Sequence, residues 1–86
     1  MSHYLYILYS TKINKYYIGY STNPDRRLGE HNNPQNKNWT KRGQPWDLKV
    51  SILYDNESLA KKAEYKLKSL KSRRVIEQVI ETDEFY

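Results

Sequence analysis

The segment HYLYILYSTKINKYYIGY, residues 3–20, decides the fold of this protein. Its two ends, residues 3–9 and 16–20, consist largely of aromatic and branched side chains, which favour β-strands. The polar residues 10–15 separate these two runs. The sequence therefore predicts that the chain begins with a hairpin of two antiparallel strands.

A helix is predicted directly after the hairpin. Asn23 is a favourable N-cap, Pro24 suits the first helical position, and Asp25 places an acid in the first turn. We expect this helix to run to about His31. Residues 32–46 are rich in Asn, Pro, Gly and Gln without a hydrophobic period, which predicts a long loop.

The second half of the chain predicts one strand and two helices. Alternating apolar residues predict a third strand with one apolar face: Leu48, Val50, Ile52 and Tyr54. Two runs at helical spacing, separated by a break near Ser72, predict the helices: Leu59, Ala60, Ala63, Leu67 and Leu70, then Val75, Ile76, Val79 and Ile80. The order β-β-α-β-α-α predicts an α+β fold, a three-stranded antiparallel sheet flanked by three helices, with residues 1–86 forming one domain.

Charge and composition narrow the class of protein. Fifteen Lys and Arg against ten Asp and Glu give a net charge of +5, which favours partners that carry phosphate, nucleic acid above all. The chain has no cysteine, so it has neither disulfides nor thiolate metal sites, and we expect a reducing, cytoplasmic compartment. Neither a signal peptide nor a membrane span is expected, because no apolar segment approaches about 20 residues.

Two tripeptides of the predicted hairpin, Tyr4-Leu5-Tyr6 and Tyr17-Ile18-Gly19, resemble the signature of the GIY-YIG nucleases. By the family's spacing, its two strand tyrosines fall on Tyr6 and Tyr17, and Tyr4-Leu5 replaces the first Gly-Ile. The family carries an arginine and then a histidine on the next helix. Arg27 and His31 match these two positions and lie one helical turn apart.

The resemblance also implies a metal site on the helix after the third strand. The family's metal-binding glutamate falls on Glu64, which would hold one divalent cation, Mg²⁺ or alternatively Mn²⁺. Arg27 would brace the scissile phosphate, and either Tyr6 or His31 would act as general base. Many members carry a late asparagine, but none follows Asn56 here. The implied protein is a small stand-alone nuclease of bacterial type, similar to the N-terminal nuclease domain of excision-repair incision proteins.

Each candidate residue also has an ordinary structural explanation. Strand tyrosines commonly pack in a core, and Glu64 stands at the favourable spacing for an ion pair with Lys68. Gly19 would allow a phosphate to approach closely, or would mark a strand bulge. The long loop carries residues suited to a nucleic-acid backbone and a stacked base, or else it is an ordinary solvated loop in which the tryptophan covers the core: Lys37, Trp39, Lys41 and Arg42.

The sequence thus predicts a metal-dependent endonuclease that acts on nucleic acid, with DNA as the expected substrate and DNA repair as the expected process. The first alternative is a binding module that keeps the fold without catalysis. The second is a small basic protein of ribosomal type. Nothing in the sequence indicates a homodimer.

Overall fold

A computed structural model describes residues 2–85. The elements are β1 (His3–Ser10), β2 (Lys15–Ser21), α1 (Pro24–His31), a 3₁₀ turn (Trp39–Gly43), β3 (Trp46–Tyr54), α2 (Glu57–Leu70) and α3 (Arg73–Thr82). The predicted order and the α+β class are confirmed. Within the described residues, no helix combines the length and the hydrophobicity that crossing a membrane requires.

The sheet has the strand order β2-β1-β3, and β1 pairs antiparallel with both neighbours. Leu5 and Ile7 pack in a cluster with residues of α2 and α3, whereas Tyr6 and Leu8 belong to a second cluster that includes Leu28 of α1. Successive side chains of a strand point to opposite faces, so the central strand is covered on both sides. This is why residues 5–8 are all buried rather than alternately exposed.

A β-bulge divides β3 between the two faces of the sheet. Ile7 pairs with Val50 but the next residue, Leu8, pairs with Leu48, which leaves Lys49 as an extra residue in β3. Leu48 joins the cluster on the α1 side, while Val50 joins the cluster under α2 and α3. The prediction of one continuous apolar face is therefore wrong at Leu48, because an inserted residue reverses the alternation of the side chains.

The segment predicted as a long loop contains regular structure. Residues 39–43 form the 3₁₀ turn, and β3 begins at Trp46, two residues before the predicted strand. Trp46 is 2% exposed, and its indole N–H donates to the backbone oxygen of Thr40 at 2.6 Å. Its backbone N–H donates to Oδ1 of Asn32 at 2.6 Å. Two hydrogen bonds hold this segment, one between residues 6 positions apart and one between residues 14 positions apart. The segment therefore has no hydrophobic periodicity from which it could be predicted.

Each of the three α-helices begins after an N-cap residue whose side chain accepts a backbone hydrogen bond. The side chains of Asn23, Asn56 and Ser72 each accept a hydrogen bond from a backbone N–H in the first turn of α1, α2 and α3. Such caps satisfy donors that have no partner within the helix. The predicted start of α1 and the predicted break at Ser72 are confirmed.

Candidate active site

The hairpin places Tyr6 and Tyr17 on the same face of the sheet. Tyr6 pairs with Gly19 across β1 and β2, and Tyr17 lies two residues from Gly19 along β2. The centroids of the two phenol rings are 6.2 Å apart. A Cβ atom on Gly19 would lie 2.6 Å from Cζ and from the hydroxyl oxygen of Tyr6. Gly19 therefore makes room for the Tyr6 phenol, and because the β1–β2 register is regular here, the bulge explanation is wrong.

Helix α1 brings a guanidinium to the Tyr6 hydroxyl. Burial raises the pKa of Tyr6, and hydrogen bonding with Arg27 partly lowers it. The pKa of Arg27 is raised, chiefly by the same hydrogen bond. Nη1 of Arg27 also lies 2.6 Å from Oε1 of Glu30. A permanently charged fork thus faces a buried, neutral phenol.

His31 closes the same face from the end of α1. Its side chain is 6% exposed, and its ring centroid lies 4.4 Å from that of Tyr17. Nδ1 is 3.2 Å from Oγ1 of Thr40, whereas Nε2 is buried and has no hydrogen-bond partner among the described residues. Burial, and then the charge of Arg27, lower the pKa of His31. The imidazole is therefore neutral at pH 7.

Glu64 approaches this group from α2. Ala60, Ala63 and Leu67 are the buried residues of the helix, and Glu64 borders their stripe with its side chain 20% exposed. Its carboxylate contributes to the raised pKa of Tyr6, as the smallest of the contributions. Oε2 of Glu64 lies 3.5 Å from Nζ of Lys68, so the predicted ion pair is present.

The residues around Glu64 fit a metal that takes few protein ligands. In the part of the chain that the structure describes, no group of three or more Asp, Glu or His side chains could enclose an ion. Mg²⁺ is commonly held by one or two carboxylates and keeps several of its waters. A lone, largely shielded carboxylate within electrostatic range of the Tyr6 phenol is compatible with that mode of binding.

A cavity of about 290 Å³ adjoins Tyr17. Residues of β2, the 3₁₀ turn, α2 with its C-cap, and α3 line it: Tyr16, Tyr17, Ile18, Trp39, Leu67, Lys68, Lys71 and Ile76. Trp39 is 51% exposed, and its ring centroid lies 6.1 Å from that of Tyr17 and 5.9 Å from that of Trp46. Trp39 thus packs against the aromatic cluster with part of its ring and presents the remainder to solvent.

The structure places the other predicted binding residues of the loop at the surface. Lys37, Lys41 and Arg42 are exposed, the last two on the 3₁₀ turn that carries Trp39. The polar partners of His31 in the same segment, Asn36 and Thr40, were not singled out in the sequence. A loop without periodicity gives no signal for them, since their importance depends on what they contact.

Comparison with known proteins assigns the family. The model of the GIY-YIG catalytic domain matches residues 2–77. The chain belongs to the GIY-YIG family. Within it, the chain is 32% identical over 79 residues to a UPF0213 protein of Staphylococcus saprophyticus, covering 92% of this chain and 95% of the relative. It is 35% identical over 80 residues to a UPF0213 protein of Halalkalibacterium halodurans, covering 93% and 83%.

A solved structure and a relative of a different kind support the assignment to this family. The solution NMR structure of the UPF0213 protein from Bacillus halodurans superposes with a TM-score of 0.58 at 33% identity, covering 94% of this chain and 84% of that one. A structure-specific endonuclease subunit SLX1 homolog of Cryptosporidium parvum is 47% identical over 53 residues, which are 58% of this chain but 13% of that protein. The UPF0213 relatives have nearly the length of this chain, which supports the small stand-alone type.

Proposed function

We propose that this GIY-YIG protein is a metal-dependent endonuclease that hydrolyses phosphodiester bonds in nucleic acid, DNA in the first place. One observation carries the proposal: the guanidinium of Arg27 lies at the buried hydroxyl of Tyr6, with Tyr17 and His31 beside them. Glu64 is within electrostatic range of the same phenol. Side chains from four different elements therefore converge, and each suits phosphoryl chemistry.

Arg27 is the candidate for binding the scissile phosphate. In the free protein its guanidinium interacts with Tyr6, which raises the pKa of Arg27, and forms an ion pair with the exposed carboxylate of Glu30. A phosphate can displace Glu30, because the planar fork binds two phosphate oxygens at once and an exposed ion pair contributes little. Tyr6 would then hold the guanidinium in place from its buried side.

Glu64 is the candidate ligand for the divalent cation, Mg²⁺ or alternatively Mn²⁺. When bound, such a cation polarises a phosphoryl oxygen and stabilises the charge that develops there. Glu64 now pairs with Lys68 at 3.5 Å. Binding at the carboxylate would release this amine, which lines the neighbouring cavity, for a phosphate of the substrate.

The proton acceptor for the attacking water is best assigned to Tyr17. Tyr6 is 1% exposed and its pKa is raised by burial, so it is poorly suited to remove a proton from water. Tyr17 is partly exposed and lines the cavity, where water and substrate can reach it. Tyr6 would instead orient Arg27.

The cavity next to Tyr17 is the candidate path for the substrate strand. The exposed part of Trp39 can stack on a base, and Lys68 and Lys71 can neutralise flanking phosphates. Lys37, Lys41 and Arg42 extend the positive charge along the loop. The sequence resemblance and the cysteine-free composition further favour a cytoplasmic enzyme of DNA repair as the proposed setting.

The test is a cleavage assay with single-stranded, duplex and branched DNA and with RNA, in Mg²⁺ and in Mn²⁺. We expect Glu64→Ala to abolish metal-dependent cleavage, because it removes the carboxylate that holds the cation. Binding to DNA in metal-free buffer should stay unchanged or become slightly tighter, because the variant lacks one repulsive charge. The matched control is Glu81→Ala, which removes an exposed carboxylate from α3.

Two outcomes would contradict the proposal. Equal rates for wild type and Glu64→Ala in a contaminant-free preparation would show that Glu64 has only a structural role. Binding without cleavage of any substrate would support the alternative, a nucleic-acid-binding module that retains the nuclease fold.

A further inference from the structure

A small, partly buried network of hydrogen bonds surrounds His31, and the donor and the acceptor of each bond can be assigned. Asn36 is its centre: the side-chain oxygen Oδ1 accepts from the backbone N–H of Asn38 at 2.8 Å. The side-chain nitrogen Nδ2 donates to the backbone oxygen of His31 at 3.2 Å and to Oγ1 of Thr40 at 2.7 Å. Oγ1 of Thr40 lies 3.2 Å from Nδ1 of His31.

Two backbone groups fix the orientation of the Asn36 amide. A backbone N–H can only donate and a carbonyl oxygen can only accept, so the side-chain oxygen must face Asn38 and the NH₂ group must face His31. Rotating the amide by 180° would break both hydrogen bonds. The remaining N–H of the NH₂ group then necessarily points to Oγ1 of Thr40.

The same reasoning assigns the donor and the acceptor between Thr40 and the imidazole of His31. Thr40 is 1% exposed, and its oxygen already accepts a hydrogen bond from Asn36. Its own hydroxyl proton needs an acceptor, and among the hydrogen bonds of residues 2–85 that acceptor is Nδ1 of His31. If Nδ1 carried the proton instead, the buried hydroxyl proton of Thr40 would be left without a partner, which is unfavourable.

We infer that Asn36 and Thr40 are positioning residues that hold His31 as the neutral tautomer with its proton on Nε2. Nδ1 then accepts from Thr40, and Nε2 is a hydrogen-bond donor without a polar partner among the described residues. The lowered pKa of His31 agrees with a neutral ring but does not by itself choose between the tautomers.

This assignment gives His31 a particular part in the reaction, and here it rests on the proposed nuclease function. An imidazole that carries its proton on Nε2 and accepts at Nδ1 has no free lone pair for the proton of the attacking water. His31 is therefore not the general base. Its Nε2–H is a buried donor beside the ring of Tyr17, so His31 acts on the reaction through the Tyr17 face of the site, and the proton acceptor is a tyrosine.

The direct test uses ¹⁵N-labelled protein and long-range ¹H–¹⁵N correlation of the imidazole rings at pH 7. The chain has two histidines, so His3→Gln assigns the signals. We expect His31 to give the pattern of a single neutral tautomer with a bare Nδ1 and a protonated Nε2. A protonated Nδ1, or a doubly protonated ring, would overturn the inference.

Variants of the two positioning residues test the cause. Thr40→Val removes the hydroxyl and should shift His31 to a mixture of tautomers, whereas Thr40→Ser keeps the hydroxyl and should preserve the wild-type pattern. Asn36→Ala should weaken the preference for the Nε2-protonated tautomer, although Asn36 does not contact the imidazole. This variant serves as the test if Thr40→Val does not fold. An unchanged pattern in a folded Thr40→Val or Asn36→Ala protein would show that these residues do not position the ring.

An activity comparison tests the consequence. The amide nitrogen of Gln reaches about as far as Nε2, whereas the amide of Asn reaches only to Nδ1, so His31→Gln should retain cleavage within about 10-fold of wild type and His31→Asn should not. If His31 were the general base, both variants would lose about 100-fold or more. The tautomer measurement needs no substrate: a wild type that cuts nothing would refute the proposed function, while the spectrum alone would still decide the state of His31.

Discussion

The ring of Tyr6 occupies the space that a side chain at Gly19 would need. The two residues are directly opposite in the β1–β2 ladder, and a Cβ on Gly19 would stand 2.6 Å from both Cζ and the hydroxyl oxygen of Tyr6. Since Tyr6 is 1% exposed and faces Arg27, its phenol has little freedom to move aside. The glycine of the second tripeptide is thus required by the tyrosine of the first.

Gly19→Ala should therefore damage both stability and cleavage. We expect a loss of about 1–3 kcal/mol in the free energy of unfolding, the usual cost of overpacking a buried site, together with reduced turnover because the Tyr6 hydroxyl leaves Arg27. The matched control is Gly29→Ala, where nothing lies within 4 Å of the new Cβ. In α1 this control should stabilise the protein by about 0.5–1 kcal/mol. Urea unfolding and cleavage rates of both variants give the answer, and similar effects at the two sites would contradict it.

Substitutions of two adjacent arginines of α1, Arg26 and Arg27, should have very different effects on DNA binding and turnover. Arg27→Ala should weaken DNA binding and lower turnover still further, by about 100-fold or more, because its fork would contact the phosphate in the ground and transition states. Arg26 is 65% exposed and pairs with Glu30 at 3.7 Å, so Arg26→Ala should stay near wild type. Arg27→Lys should fall between them, because it keeps the charge and loses the planar fork. Equal kinetics for the Arg26 and Arg27 variants would exclude a phosphate role for Arg27.

Stability should fall on acidification, in part because of His31. Burial lowers its pKa in the folded protein below the ordinary value of 6.5. As the pH drops through 6.5, His31 is protonated in the unfolded chain before it is protonated in the folded protein. Proton binding therefore stabilises the unfolded state, and the free energy of unfolding decreases. Urea unfolding between pH 7.5 and about 5 should show a smaller decrease for His31→Gln than for wild type, and His3→Gln is the control. A variant curve parallel to wild type would contradict this.

DNA binding should weaken steeply with salt. A basic protein that neutralises phosphates releases counterions, so the logarithm of the binding constant falls linearly with the logarithm of salt concentration. Replacing Lys37, Lys41 and Arg42 by Gln should reduce that slope by about 1 for each phosphate that the variant no longer neutralises. Replacing Lys62 and Arg74, exposed cations of α2 and α3, should change the slope less. A wild-type slope near zero, or no binding at low salt, would count against any nucleic-acid partner.

Local signals in the sequence were enough for much of the fold. The hairpin, the Asn23 cap and the helical spacing depend on residues a few positions apart, and the structure has each of them where it was predicted. The shared face of Tyr6 and Tyr17 also follows from local rules, because strand alternation and hairpin pairing determine it.

Tertiary structure alone decided what depends on contacts between distant segments. The bulge at Lys49 places Leu48 on the other face of the sheet. Trp46 holds the 3₁₀ turn, whose sequence has no hydrophobic periodicity. Glu64, on a separate helix, comes within electrostatic range of Tyr6. The proton position on His31 is fixed in the same way, by polar groups five and nine residues away. A sequence pattern records which side chains share a face of an element, whereas packing between elements determines which of them meet.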